Sequence, residues 1–216
     1  VSLFGPDEIS LAQTAEEIQR SGGESYIFPG DVANKDDVNL WVDQSRQKFA
    51  RIDILVNNAA IIGPPRFVED ADPEYWERTL AVNLNGMAWT CRAVLPDMME
   101  KSAGKIINVS SGLARMKFQR FCAYSVSKAG VEQLTRSLSA EYAAFNISVN
   151  AIDPAVMDTP MQAEIRDLPE EKLGQEIKSH FIAYKTTGQL VSPEKVAELV
   201  VYLAGPKSDH ITGRVL

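Results

Sequence analysis

The sequence predicts an α/β fold, a doubly wound parallel sheet with helices on both faces. Two observations carry this. Short apolar runs alternate with longer stretches of helical periodicity along the whole chain, the pattern of successive βαβ units. The 216 residues, 45% hydrophobic and 24% charged, are enough for one ordinary core without disulfides or metal. Parallel strands joined by helices cross over right-handedly, and the helices then cover both sheet faces.

The elements run in order along the chain. Val1–Phe4 reads as a strand, and Asp7–Arg20 as an amphipathic helix closed by Gly22-Gly23. Ser25–Phe28 is a strand ended by Pro29-Gly30, and Asp36–Phe49 a helix with Leu40, Trp41 and Val42 among its apolar positions. Ile52–Val56 is a buried strand. Pro73–Met99 reads as one long helix, heavily buried around Leu80, Val82, Leu84, Met87 and Val94. Lys105–Val109 is the next strand, Ala123–Phe145 another long helix, and Ile147–Ile152 a strand. Two short helices are expected between Thr159 and Phe181. Pro193–Ala204 is the last helix, and Gly213–Leu216 is a strand cut short. No repeat or low-complexity run interrupts this single domain, residues 1–216. In such sheets ligands sit beyond the carboxyl ends of the strands, so the residues after each strand are the candidates for chemistry.

A net charge of −7 argues against nucleic acid and anionic membrane as partners. The only two cysteines, Cys91 and Cys122, form neither a disulfide framework nor a zinc spacing, and the isolated His180 and His210 read as ordinary side chains. No run approaches the roughly 18 apolar residues of a membrane span. Two thiols and no visible export signal make a reducing cytoplasm the expected compartment.

Strand Ile52–Val56 runs into Asn57-Asn58-Ala59-Ala60, where small residues allow close backbone approach and amides lock a turn. Strand Lys105–Val109 ends in Ser110-Ser111. The next helix carries Tyr124-Ser125-Val126-Ser127-Lys128, a spacing that puts Tyr124 and Lys128 one turn apart on one face. A tyrosine of pKa about 10 is a poor acid/base at neutral pH, and a neighbouring ammonium is expected to lower that value. Taken singly, these are also the features of a plain turn, a loop end and a helix-surface pair.

Together, in this order, they resemble the short-chain dehydrogenase/reductase family along the whole chain, nearest its 3-oxoacyl-carrier-protein reductase and sugar- or polyol-dehydrogenase branches. Asp31-Val32 looks like the pair that contacts the adenine. Asn57-Asn58-Ala59-Ala60 resembles Asn-Asn-Ala-Gly, with Ala60 for Gly. Asn83, in Asn83-Leu84-Asn85-Gly86, resembles the catalytic asparagine. Ser111 stands thirteen residues before Tyr124, as the catalytic serine does. Tyr124 and Lys128 match the Tyr-x-x-x-Lys signature. Asp153-Pro154-Ala155-Val156-Met157-Asp158-Thr159 resembles the Pro-Gly-x-x-x-Thr segment under the nicotinamide, with Ala155 for Gly. Ser192-Pro193-Glu194 and Ile211-Thr212-Gly213 resemble the C-terminal landmarks.

The resemblance implies a Rossmann-type fold and an NAD(P)-dependent oxidoreductase acting on a small alcohol or carbonyl compound. Tyr124 would be the acid/base, tuned by Lys128, which would also bind the nicotinamide ribose. Ser111 would hold the substrate oxygen, and Asn83 a water serving proton relay. Asp31, Val32, Asn58, Ala59, Ala60, Tyr124, Lys128, Pro154, Val156 and Thr159 would contact the cofactor. An asparagine such as Asn83 can also be plain helix surface, and Thr159 can be a helix N-cap. An alanine at position 155 requires φ below zero, unlike the family's glycine. Trp41, Trp76 and Trp89 read as core or interface aromatics. Residues 157–190 form the expected substrate lid.

The resemblance further implies a first strand, a glycine-rich phosphate turn and a first helix ahead of Val1, about 30 residues by the size of a βαβ unit, and a last strand continuing beyond Leu216. Gly5-Pro6-Asp7-Glu8 holds no Arg, which leans the choice to NAD over NADP, although Asp7 and Glu8 also suit a helix start. A homodimer or homotetramer is implied, paired through the two long helices. The competing function is a catalytically silent dinucleotide-binding or scaffold protein, against which the complete set of Asn83, Ser111, Tyr124 and Lys128 speaks.

Overall fold

A computed structural model describes residues 1–216. Strands β1 (Ser2–Gly5) and β2 (Tyr26–Pro29) pair in parallel, Ser2 opposite Tyr26. Strands β3 (Ile54–Asn57), β4 (Gly104–Val109) and β5 (Ile147–Ile152) form a second parallel piece, Asn57 opposite Asn108 and Val109 opposite Ile152. The predicted parallel architecture is present in two pieces that share no ladder hydrogen bonds. Helix α1 (Glu8–Arg20) starts at Asp7, whose carboxylate accepts from Ile9 N. Helix α2 (Lys35–Phe49) starts at Asn34, which accepts from Asp36 N and Asp37 N.

Alternation along the strands explains the two covered faces. Leu55, Ile106, Ile147 and Val149 point to one side and pack with Trp41 and Val42 of α2, Cys91, Val94 and Met98 of helix α4 (Gly86–Lys101), and Leu138 of helix α5 (Cys122–Glu141). Phe4 of β1 stacks on Trp41 at 4.8 Å, so α2 ties the two sheet pieces together. Ile107, Val109 and Ile152 point to the other side, against Leu203 of the last helix (Pro193–Ala204). Ile54 and Val56 share that side but remain 45% and 43% exposed.

The predicted helix Pro73–Met99 is not uniform. Helix α3 (Pro73–Leu80), capped by Asp72, gives way to a π-turn over Ala81–Asn85 before α4 begins. Asn83, within this π-turn, is fully buried on the same side as Thr79 and Met87, although an asparagine in a helix is ordinarily solvated.

Between Thr159 and Phe181 there are three helices rather than two: α6 (Pro160–Asp167), α7 (Glu170–Leu173) and α8 (Gln175–Thr186). Gly174, at φ 85, breaks the last two apart. The final helix, Pro193–Ala204, is α9. Gly213–Leu216, expected as a strand cut short, runs parallel to β5 through a bridge from Val215 to Ala151, with Ala151 N donating to Arg214 O (2.8 Å) and Leu216 N to Ala151 O (3.1 Å). No helix is long and apolar enough to cross a membrane.

Candidate active site

The carboxyl ends of β3, β4 and β5 are braced by buried amides. Thr90 Oγ1 donates to Asn57 Oδ1 (2.7 Å), Asn57 Nδ2 to Asn108 Oδ1 (2.9 Å), and Asn108 Nδ2 to Thr135 Oγ1 (2.9 Å). The chain of bonds runs from α4 across two strands to α5, and each buried group is paired. The polar anchor of the Asn57-Asn58-Ala59-Ala60 turn is therefore Asn57, which the sequence pattern does not single out. Asn58 is exposed, and Ala59 and Ala60 are half-buried.

Asn83 closes this turn. Its Oδ1 accepts from Ile61 N (2.8 Å), and its Nδ2 donates to Ile61 O (2.8 Å) and Ser127 Oγ (3.1 Å). The fully buried side chain thus staples the π-turn to the β3 loop and to α5. Gly130 lets α5 approach, since a Cβ there would meet Leu84 Cδ2 at 2.8 Å.

At the end of β4 the two serines divide. Ser110 is buried, with its hydroxyl near Lys128 O (3.5 Å) and Glu132 Oε1 (3.3 Å). Ser111 is more open. It accepts from Leu113 N (3.3 Å) at the start of a 3-10 turn, and its hydroxyl stands near the Tyr124 phenol.

One helical turn along α5 from Tyr124, Lys128 donates to Val109 O at 2.7 Å, and its Nζ stands 5.7 Å from the Tyr124 ring centre. Burial lowers the Lys128 pKa to about 8. The Tyr124 pKa moves opposite to the expectation from its lysine neighbour. Burial raises it above the ordinary phenol range; the Ser111 hydrogen bond pulls down, and the Asp153 charge adds to the rise. Desolvation of the phenolate outweighs an ammonium that lies below the ring and bonds to a carbonyl.

The remaining predicted residues fall at strand ends. After β2, Asp31 pairs with Arg78 (2.7 Å) and accepts from Ala33 N (3.0 Å). Burial alone would raise its pKa, but Arg78 and the amide together hold it below the carboxylate norm. Val32 packs on Gly86, where any Cβ would come within 2.9 Å of it. After β5, Pro154 is buried, and Val156 O accepts from Val191 N (2.9 Å). Thr159 occupies the N-cap position of α6, but its side chain makes no capping bond. Ala155 sits at φ 55, contrary to the negative φ its side chain favours.

An open pocket lies beside Tyr124, lined by Ile62, Tyr75, Trp76, Arg120 and Phe121 among others. Trp76 is thus a pocket wall rather than core, and segment 62–79 contributes a wall that its unremarkable sequence conceals. Trp41 lies in the core, and Trp89 lies under Lys35 (4.2 Å). From the segment 157–190, Ile165, Leu173 and Phe181 pack with Phe121 and Tyr124. This segment starts where Met157 bridges Val191, just past its end.

A family model described as enoyl-(acyl carrier protein) reductase matches residues 3–216. The 2-(R)-hydroxypropyl-CoM dehydrogenase of Xanthobacter autotrophicus is 33% identical over 212 residues, 95% of this chain and 82% of that protein. The structure of an NAD+-bound xylitol dehydrogenase superposes with a TM-score of 0.91 at 25% identity, covering 100% of this chain and 86% of that one. An actinorhodin polyketide ketoreductase variant with NADPH gives 0.91 at 29% identity, covering 100% and 84%. The chain belongs to the short-chain dehydrogenase/reductase family of NAD(P)-dependent oxidoreductases.

Proposed function

We propose that this oxidoreductase interconverts a secondary alcohol and a ketone, with Tyr124 as the general acid/base. The observation that carries the proposal is the meeting of Ser111, Tyr124 and Lys128 at the carboxyl end of β4, beside a pocket. A bound nicotinamide dinucleotide would supply or accept the hydride. The residues suit such a group. The Lys128 ammonium has three donors and spends one on Val109 O, and the Thr159 hydroxyl is not used in capping. Asp31, Val32, Asn58, Ala59, Ala60, Pro154 and Val156 stand at successive strand ends that such a ligand would cross.

Tyr124 gives a proton to the substrate oxygen or takes it back. Ser111 steadies that oxygen as charge develops on it. Lys128 keeps a positive charge near the phenol and assists ionisation when the proton leaves. Asn83 holds the β3 loop and α5 at a fixed separation. Residues 157–190 serve as the substrate lid. The relatives include both dehydrogenases and a ketoreductase, so both directions are within reach of this fold.

The dinucleotide we favour is NAD. Asp7 and Glu8 follow β1 after Pro6, and Gly5-Pro6-Asp7-Glu8 offers no cation for a 2′-phosphate. A higher kcat/KM with NADP would overturn this choice. The assembly we favour is a homodimer or homotetramer paired through α4 and α5, as the family resemblance implies. A monomer by light scattering would count against it.

The test of the main proposal is Tyr124→Phe, assayed at 340 nm with both dinucleotides on a panel of secondary alcohols and ketones. Turnover should fall by about 10²- to 10⁴-fold while dinucleotide binding stays within about threefold. Undiminished turnover would remove Tyr124 from the mechanism.

A further inference from the structure

Arg115 lies outside the set of Ser111, Tyr124 and Lys128, yet it joins three elements of the site. It leaves the 3-10 turn that Ser111 starts. Its Nε lies 3.1 Å from Glu132 Oε1, and its Nη2 lies 2.6 Å from Asp153 Oδ2. Glu132 is one turn beyond Lys128 on α5, is only 4% exposed, and pairs also with Arg136 (3.0 Å). Asp153 comes directly after β5, and its Oδ1 accepts from Ala155 N (3.1 Å), the residue held at φ 55. One guanidinium therefore clamps the turn after β4, the turn after β5 and the helix that carries Tyr124.

We propose that Arg115 is a positioning residue for proton transfer at Tyr124: it holds the Asp153 carboxylate in the turn after β5 and neutralises that charge beside the phenol. The proposal rests on Tyr124 as the acid/base for its functional meaning, but its electrostatic content stands apart from turnover. Without a counterion, Asp153 is a like charge to the Tyr124 phenolate and disfavours it. The other charges facing Tyr124 are few. Its own helix offers Lys128. The pocket side offers Asp72, Arg66 and Arg120, together with the phenol of Tyr75. From the lid the contacts are apolar, with His180 lying behind Phe181 and bonded to Tyr184. Arg120 is committed to the Phe67 ring (4.3 Å) and to Lys172 O (3.3 Å). Arg115 is the cation in direct contact with Asp153.

The experiment is an NMR titration of the protein carrying tyrosine labelled with ¹³C at Cζ, from pH 7 to 11.5. Tyr124→Phe assigns the Tyr124 signal by its loss, whether or not that residue is catalytic. Arg115→Ala should raise the Tyr124 midpoint by about half a unit or more, and Asp153→Asn should lower it. The double variant should titrate close to Asp153→Asn, because the Asp153 charge that Arg115 neutralises is then gone and its other partner, Glu132, keeps its pairing with Arg136. Arg115→Lys should stay near the parent. If Arg115→Ala does not fold, the near-isosteric Asp153→Asn carries the test. A midpoint unmoved by Asp153→Asn, or equal in Arg115→Ala and the parent, overturns the proposal. Shifted midpoints combined with an active Tyr124→Phe would instead uphold the electrostatics and defeat the catalytic assignment.

Discussion

Replacing Lys128 by methionine should stabilise the protein at neutral pH. The Lys128 side chain is 1% exposed, and burial takes its pKa from an ordinary 10.5 to about 8. At about 1.4 kcal/mol per unit, that drop means the folded state holds the ammonium at a cost of roughly 3 kcal/mol. The 2.7 Å bond to Val109 O returns about 1–2 kcal/mol, which the variant loses. An unbranched methionine fills the same channel, leaving a net gain of about 1–2 kcal/mol.

The pH dependence identifies the cause. Below pH 8 the lysine is protonated in both folded and unfolded chains, and the cost is constant. Between about 8 and 10.5 the unfolded chain binds the extra proton, so the stability of the parent rises with pH. Above 10.5 the lysine is neutral in both states, and the cost is gone. Urea unfolding of dinucleotide-free parent and variant, monitored by tryptophan fluorescence at pH 7, 9 and 10.5, reads this directly. The advantage of Lys128→Met should be full at pH 7 and should shrink towards pH 10.5. A variant less stable at pH 7, or an advantage independent of pH, refutes the reasoning. The same variant should lose turnover, a stability–function exchange at one side chain.

Asn83→Ala strands Ile61 N, Ile61 O and the Ser127 contact together, and should cost about 2–4 kcal/mol. A thermal melt should fall by about 6–12 °C, and a fall under 2 °C would show that the staple carries little. Ala155→Gly relieves a left-handed alanine at φ 55 and should stabilise by about 0.5–1 kcal/mol after glycine's extra chain entropy; a destabilised variant would mean the turn is not strained. A thiol reagent should label Cys122 in the folded protein and leave Cys91 untouched until unfolding, because Cys91 is buried with its pKa pushed up to about 12. Labelling of Cys91 at the rate of Cys122 would contradict the packing of α4.

The sequence by itself determined the parallel α/β class, the order of the elements and the pairing of Tyr124 with Lys128. Each of these is written in local periodicity: apolar runs make strands, four-residue spacing makes a helix face, and strand ends make candidate sites. Only the tertiary structure decided the π-turn around the buried Asn83, the break at Gly174 that gives three helices where two were expected, and the pocket wall from residues 62–79. It also decided the rise of the Tyr124 pKa and the clamp from Arg115 to Asp153, residues 38 apart in the chain. The physical reason is common to all of them. A hydrogen-bond staple, a desolvation cost or an ion pair across two strand ends depends on which distant groups share a space and exclude water, and periodicity within one segment carries no record of that.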